Sequence, residues 1–320
     1  MRAPTIVAQL ARGFGMGAAD IVPGVSGGTV ALVLGIYERL IRNIRTGAAA
    51  LRRLVSARWS DATTELARIE WVWLLSLLAG ILVAVASLAS VLESLMEDQP
   101  IEMAGLFLGL VIGAVVIAWR LLDRVDAATL GVMLVAGAAV FLVLGLRTET
   151  SVDKDAAEIV TEPLWAFFLA GAIAICAMIL PGISGSFILV LLGMYTEVLG
   201  AVNDRDLVAL AVFALGCVIG LALFSTLLSW LLEHHHHWVM AGLIGLMLGS
   251  TRVLWPWPGG VETTTLAAPS DPVALPLLLA VLGFVVVVLV ERLARQLTSE
   301  ASRSTPSAMS SSPTANENRP

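Results

Sequence analysis

Asp20 is the residue with the most obvious chemistry. It stands three positions before Pro23 in the apolar stretch DIVPGVSGGTVALVLGIY, Asp20 to Tyr37. A carboxylate at the centre of a membrane helix costs roughly 2.5–3.5 kcal/mol on insertion scales. An acid kept there takes up a proton, holds a cation, or is spent on neighbouring amides at a helix end. The groups that follow suit the opposite charge. Pro23 lacks an amide hydrogen and breaks the helix, and Gly24, Ser26, Gly27, Gly28 and Thr29 offer backbone N–H groups and hydroxyls where a new helix begins. Unpaired amides at the positive end of a helix dipole bind anions, phosphate in particular.

The same set returns 158 residues later as MILPGISGSFILVLLGMY, Met178 to Tyr195, with Gly182, Ser184, Gly185 and Ser186 at the tip. Nine of nineteen positions from Ala19 and from Ala177 are identical, and Pro-Gly-x-Ser-Gly followed by Gly-x-Tyr at equal spacing makes chance similarity of greasy sequence a poor explanation. One PGxSGG could simply turn the chain and let helices pack closely; two copies favour a binding role. The counterpart of Asp20 is Met178, so the repeat itself does not require the acid.

Other polar residues carry less. Glu38, Arg39 and Glu197 follow the Gly-x-Tyr positions, nearer an interface; of these Glu197 is kept beside Asp20 as a coupling candidate, while the others fit snorkelling or topology-setting roles. Arg252, in GSTRVLWPW, is the only basic residue between His237 and Arg292. A guanidinium at an outer membrane surface would catch a phosphate, against the plain alternative of an interfacial arginine. His234 to His237 lacks the spacing of a metal site, and Cys176 and Cys217 lie in apolar runs as core thiols. No nucleophile stands at a recognised spacing from a base, and no carboxylate cluster would hold magnesium. Neither catalysis, a cofactor nor a metal is expected.

The elements that position these groups follow from composition. With 320 residues, 58% hydrophobic and only 14% charged, and a mean hydropathy of +0.89, the chain is an all-α polytopic membrane protein. A net charge of −6 argues against nucleic acid as a partner. Two repeats are expected, each a hairpin plus three spans: 1–160 with a hairpin at 5–44, and 161–297 with a hairpin at 164–202. A disordered tail, 298–320, follows. Within the hairpins the arms are Thr5 to Val22 with Thr29 to Ile44, and Leu164 to Leu180 with Phe187 to Val202. Spans are expected at Trp71 to Leu95, Met103 to Leu121, Ala127 to Leu146, Leu207 to Leu232, Trp238 to Leu254 and Val273 to Val290. The arginine-rich stretch Asn43 to Glu70 reads as a cytoplasmic loop, the acidic 147–163 as an external one, and both termini as cytoplasmic. Three spans between the hairpins would make the repeats inverted, as in many secondary transporters, with a midplane site reached from either side. FLGLVIG, Phe107 to Gly113, and LIGLMLG, Leu243 to Gly249, add weaker support.

At these motifs the chain resembles the bacterial polyprenyl-phosphate translocases. DIVPGVSGGTVALVLGIYERL, LPGISGSFILVLLGMYTEVL and GLMLGSTRVLWPW carry the resemblance, over about Arg12 to Arg292; Val253 stands where the family form has a lysine. The resemblance implies that undecaprenyl phosphate, the carrier lipid of cell-wall synthesis, is moved from the outer to the inner leaflet of the bacterial plasma membrane. The phosphate would pass between the hairpin tips with its tail in the bilayer among membrane lipids, and a proton or sodium ion at Asp20 would drive the cycle. The residues alone leave open a transporter or channel for a small soluble anion and, further off, a membrane-embedded lipid phosphatase.

Overall fold

The computed structural model describes residues 3–22, 26–122, 124–145, 163–263 and 265–303. Among them every regular element is helical. The first motif begins with α1 (Ala3–Ile21), which stops two residues before Pro23, and resumes as α2 (Gly27–Val33) and α3 (Tyr37–Val55). The second repeats the plan as α8 (Leu164–Ile179), α9 (Gly185–Leu191) and α10 (Tyr195–Asn203). Between them lie α4 (Trp59–Arg68), α5 (Trp71–Asp98), α6 (Pro100–Trp119) and α7 (Ala127–Gly145); α11 (Leu207–Ser250) and α12 (Ala274–Arg303) follow. Among the described residues five helices are long and apolar enough to cross a membrane: α5, α6, α7, the stretch Leu207–Leu254, and Ala274–Leu293 within α12. At about 1.5 Å per residue, α11 is roughly twice as long as one crossing of a 30 Å hydrocarbon core requires. It bends at His235 (φ −135°, ψ 35°) and so consists of two arms, 207–234 and 236–250.

Several sequence expectations are corrected. The second arm of each hairpin is not one helix, because a glycine ends it early. Gly35 and Gly193 take left-handed φ values of 66° and 68°, and the closing hydrogen bonds match: Gly35 N to Leu32 O and Ile36 N to Ala31 O, Gly193 N to Val190 O and Met194 N to Leu189 O. This is the glycine-terminated helix end in which both following amides turn back onto the last carbonyls. Asn43 to Glu70 is not a loop: α3 and α4 occupy most of it, with arginines on the polar face of an amphipathic helix. The expected break at the histidines is a helix bend. Helix α12 continues to Arg303, so the first residues of the expected tail, 298–303, are helical. The acidic stretch 147–162 and the rest of the tail lie outside the described residues.

The two halves are built alike in detail. Helix α1 packs along α5, and α8 along the first arm of α11. In the first pair a Cβ on Gly13 would overlap the Leu77 carbonyl, and one on Gly80 the Leu10 carbonyl. In the second pair Gly171 meets Phe213 and Gly216 meets Phe168 in the same way, each an equivalent position in the repeat. The halves then exchange partners. Helix α6 packs on α12, with Gly109 against the Ala280 carbonyl, while the second arm of α11 packs on α7, with Gly245 against the Met133 carbonyl. Small residues let these backbones approach, which is how helices associate where lipid removes the hydrophobic drive between them. The main core gathers α1, α2, α3, α5, α6 and the second arm of α11, with Trp73, Tyr37, Ile244 and Met247 among its buried side chains.

Candidate functional site

The breaks at the two motifs meet. Ser26 is buried at the N-cap of α2, where its Oγ accepts from Thr29 N at 3.3 Å. The same oxygen accepts from Gly182 N at 3.4 Å and donates to Leu180 O at 3.4 Å. Tyr37 Oη donates to Ile179 O at 3.2 Å, and a Cβ on Gly28 would come within 2.8 Å of that carbonyl. One serine and one tyrosine of the first motif thus satisfy backbone groups freed by the break in the second, which a buried helix end requires.

Asp20 turns back across its own break. Its Oδ1 accepts from Gly27 N at 2.6 Å, and a Cβ on Gly27 would sit 2.7 Å from Oδ2, so a side chain there would displace the carboxylate. The corresponding place in the second motif is apolar: Met178 Cβ lies 3.5 Å from where a Cβ on Gly185 would stand. The asymmetry read between Asp20 and Met178 is therefore an asymmetry in which amide already has an acid on it.

Beside this contact lies a cavity of about 430 Å³. Its polar lining comes from Asp20 of the first motif and from Gly182, Ser184, Ser186 and Tyr195 of the second; its apolar walls include Val140, Val143 and Leu144 of α7, and Val253 and Val261. Ser184 Oγ and Ser186 Oγ are 2.7 Å apart. The expected site residues divide accordingly. Asp20, Gly182, Ser184 and Ser186 come together. Ser26, Gly28 and Thr29 lie at the joint between motifs and Gly27 lies under Asp20, and none of the four lines the cavity. Gly185 lies behind the cavity against the Ala174 carbonyl, 3.1 Å from a Cβ at that position. Glu197 is half-buried and outside the lining, and Gly24 lies outside the described residues. Sequence reasoning missed the wall from α7, whose uniform apolar run carries no signal of which face is used.

Arg252 follows the end of α11 and borders the cavity through its neighbour Val253. Its guanidinium lies 4.7 Å from the Phe141 ring centroid and against Gly145 at the end of α7, with Nε buried and unbonded. Among the described residues no carboxylate pairs with it. The short turns Thr251–Leu254 and Gly260–Glu262 pack on α6, and Trp255 Nε1 donates to Ala267 O at 2.9 Å.

Away from the cavity, polar side chains tie α3 to its neighbours. Arg39 pairs with Glu70, whose backbone N and Oε1 also engage Asn43. The Arg39 hydrogen bond, more than those from Asn43 or the nearby charges, holds the Glu70 carboxyl below its ordinary range. Arg45 reaches Ser229 and Glu233. The histidines at the bend of α11 join in: His236 Nε2 is 3.0 Å from Glu38 Oε1, and His237 Nε2 is 2.7 Å from Thr129 Oγ1, which donates to Asp126.

Comparison with known proteins places the chain in context. The profile of a family described as undecaprenyl phosphate translocase-like matches residues 16–270. A polyprenyl-phosphate transporter of Vibrio cholerae is 39% identical over 268 residues, 83% of this chain and 82% of the relative. A polyprenyl-phosphate transporter of Staphylococcus aureus is 30% identical over 259 residues, 78% and 86% of the two chains. No solved structure matches.

Proposed function

Because the chain belongs to the undecaprenyl phosphate translocase-like family, we propose that it moves a polyprenyl phosphate, undecaprenyl phosphate above all, across the bacterial plasma membrane from the outer to the inner leaflet, for reuse in cell-envelope synthesis. The observation that carries this reading is the cavity in which an intramembrane acid, Asp20, faces the backbone and hydroxyls of the second motif, Gly182, Ser184 and Ser186. A phosphate stripped of water needs such donors, since a lone ion in hydrocarbon is prohibitive. Only the headgroup has to cross. The tail stays in the bilayer, and the apolar α7 wall suits its first carbons.

The same reading makes Asp20 the coupling residue. Two like charges about 5 Å apart repel by roughly 3 kcal/mol at an effective dielectric constant near 20. An arriving phosphate therefore favours a proton or a sodium ion at Asp20, and loss of that ion on the other side favours release. Alternating access would come from the duplicated architecture. The matched α1–α5 and α8–α11 pairs, and the exchanged α6–α12 and α7–α11 pairs, support halves related by a two-fold axis in the membrane plane; the arginine density of 43–70 supports cytoplasmic termini.

The test is reconstitution. Vesicles holding the protein should move labelled polyprenyl phosphate between leaflets under an imposed proton or sodium gradient, without releasing inorganic phosphate. Inorganic phosphate uptake that excess lipid does not inhibit would replace the lipid with a small anion as substrate; released phosphate would make the protein an enzyme.

A further inference from the structure

Helix α7 has two faces. One walls the cavity; the other, with Trp119 of α6 and the end of α11, forms a groove of about 540 Å³ open at the protein surface. Gly137 and Ala138 make its floor, and Trp119, Leu134, Phe141 and Leu142 its sides. The lining of α7 runs from Leu130 to Leu142, roughly 18 Å along the helix. The depth comes from the small residues at the α7–α11 contact, where Gly245 and Gly249 sit against α7 backbone.

The groove ends at a cation. Phe141 is both its side wall and the ring beneath the Arg252 guanidinium. Arg252 comes one helical turn after Gly249, which lines the groove, and directly before Val253, which lines the cavity. An arginine without a paired carboxylate among the described residues, at the end of a long apolar trough, complements an anionic amphiphile, with the charge on the guanidinium and the chain along α7. Bulk lipid would cover an apolar face equally well but gives no reason for a cation there, stacked on the ring of the trough itself.

We propose that this groove is a loading site for polyprenyl phosphate, outside the transport cavity and continuous with it through Arg252 and Val253. The inference rests on the carrier-lipid reading above. The phosphate meets Arg252 first, the isoprenoid units nearest it lie on Gly137 and Ala138 between Leu134 and Phe141, and the headgroup then turns past Val253 towards Asp20 and Ser184.

The experiment uses the full chain in vesicles of phosphatidylethanolamine and phosphatidylglycerol, with a polyprenyl phosphate carrying a diazirine in its first isoprenoid units. Photolabel is expected on 130–142, to be displaced by unlabelled polyprenyl phosphate, and to survive the same excess of phosphatidylglycerol. Arg252→Ala and Ala138→Trp should each reduce labelling at least fivefold. Ala138 is exposed, so the larger side chain fills the groove without entering a helix contact. Arg252→Lys, which keeps the charge, should restore part of the label. Label scattered evenly around the spans, or competed equally by phosphatidylglycerol, would reduce the groove to ordinary lipid contact and overturn the proposal. So would wild-type transport by vesicles carrying Ala138→Trp. Specific labelling without any lipid movement by the wild type would instead uphold the groove and sink the transport reading.

Discussion

Replacing Asp20 with asparagine separates its structural role from its proposed coupling role. In the structure the carboxylate accepts from Gly27 N at 2.6 Å. Asparagine keeps an acceptor oxygen at that distance, so the hydrogen bond changes from charge-assisted, about 1.5–3 kcal/mol, to neutral, about 0.5–1.5. The loss is about 1–1.5 kcal/mol. Against it stands removal of an ionised group that costs roughly 2.5–3.5 kcal/mol at the centre of a membrane helix. Asp20→Asn is therefore expected to leave the protein as stable as wild type or about 1–2 kcal/mol more stable, while gradient-driven movement of polyprenyl phosphate in vesicles is lost. Thermal unfolding in detergent and the leaflet-exchange assay are run on the same preparation. Wild-type transport in the variant would refute the coupling argument. A loss of more than about 2 kcal/mol would refute the energetic one and make the charge a structural cap.

The repeat can be tested through its close contacts. Gly80→Ala and Gly216→Ala each drive a methyl group into a facing carbonyl, of Leu10 and of Phe168, and overpacking of this kind costs about 1–3 kcal/mol; unfolding should show similar losses for the two, and tolerance of one alone would break their equivalence. At the α3 end, Glu70 has its carboxyl held low by Arg39, so its contribution is present above the unfolded carboxyl pKa near 4.3 and is lost as pH falls through the lower folded value. Glu70→Gln should flatten the acid limb of the stability curve below about pH 5, with a loss at neutral pH of no more than about 1 kcal/mol for a pair this exposed; an unchanged acid limb would remove the Arg39–Glu70 pair from the account.

The doubled motif was legible because proline, serine, glycine and tyrosine recur at equal spacing, and serine, glycine and tyrosine each do local work in the structure. Ser26 caps α2, Gly35 and Gly193 end the short helices, and Tyr37 and Tyr195 open the next ones. The extra break at each glycine was hidden. Leu34-Gly35-Ile36 sits inside an unbroken apolar run, and hydropathy registers greasiness rather than the sign of φ. Arginine density from Asn43 to Glu70 reports which residues face water and is indifferent to whether the backbone is coiled, so a helix pair was read as a loop. The bend at His235 was placed correctly but given the wrong form, because charge and histidine mark a turning point without saying whether the helix is interrupted. The joint between the tips is hidden for the same reason: composition gives hydroxyls and amides at both tips but not the partners they find, and Ser26 and Tyr37 of the first motif bond backbone of the second.

That inequality between the motifs leads to the sharpest remaining expectation. Met178 stands to Gly185 as Asp20 stands to Gly27, seven positions away across an equivalent break, with Met178 Cβ already 3.5 Å from a Cβ position on Gly185. In Met178→Asp a second carboxylate can reach the Gly185 amide as the first reaches Gly27. The insertion cost of roughly 2.5–3.5 kcal/mol is largely offset by a charge-assisted hydrogen bond of about 1.5–3, so the fold should survive with a loss of no more than about 2 kcal/mol. Transport should not survive. The new charge would stand beside Ser184 and Ser186, on the side of the cavity that otherwise carries no carboxylate, and a like charge at about 5 Å opposes the headgroup by roughly 3 kcal/mol, more than a hundredfold in occupancy. Normal transport by a folded Met178→Asp protein would mean that the phosphate does not use the second motif, and that the cavity between Asp20 and Ser184 is not its path.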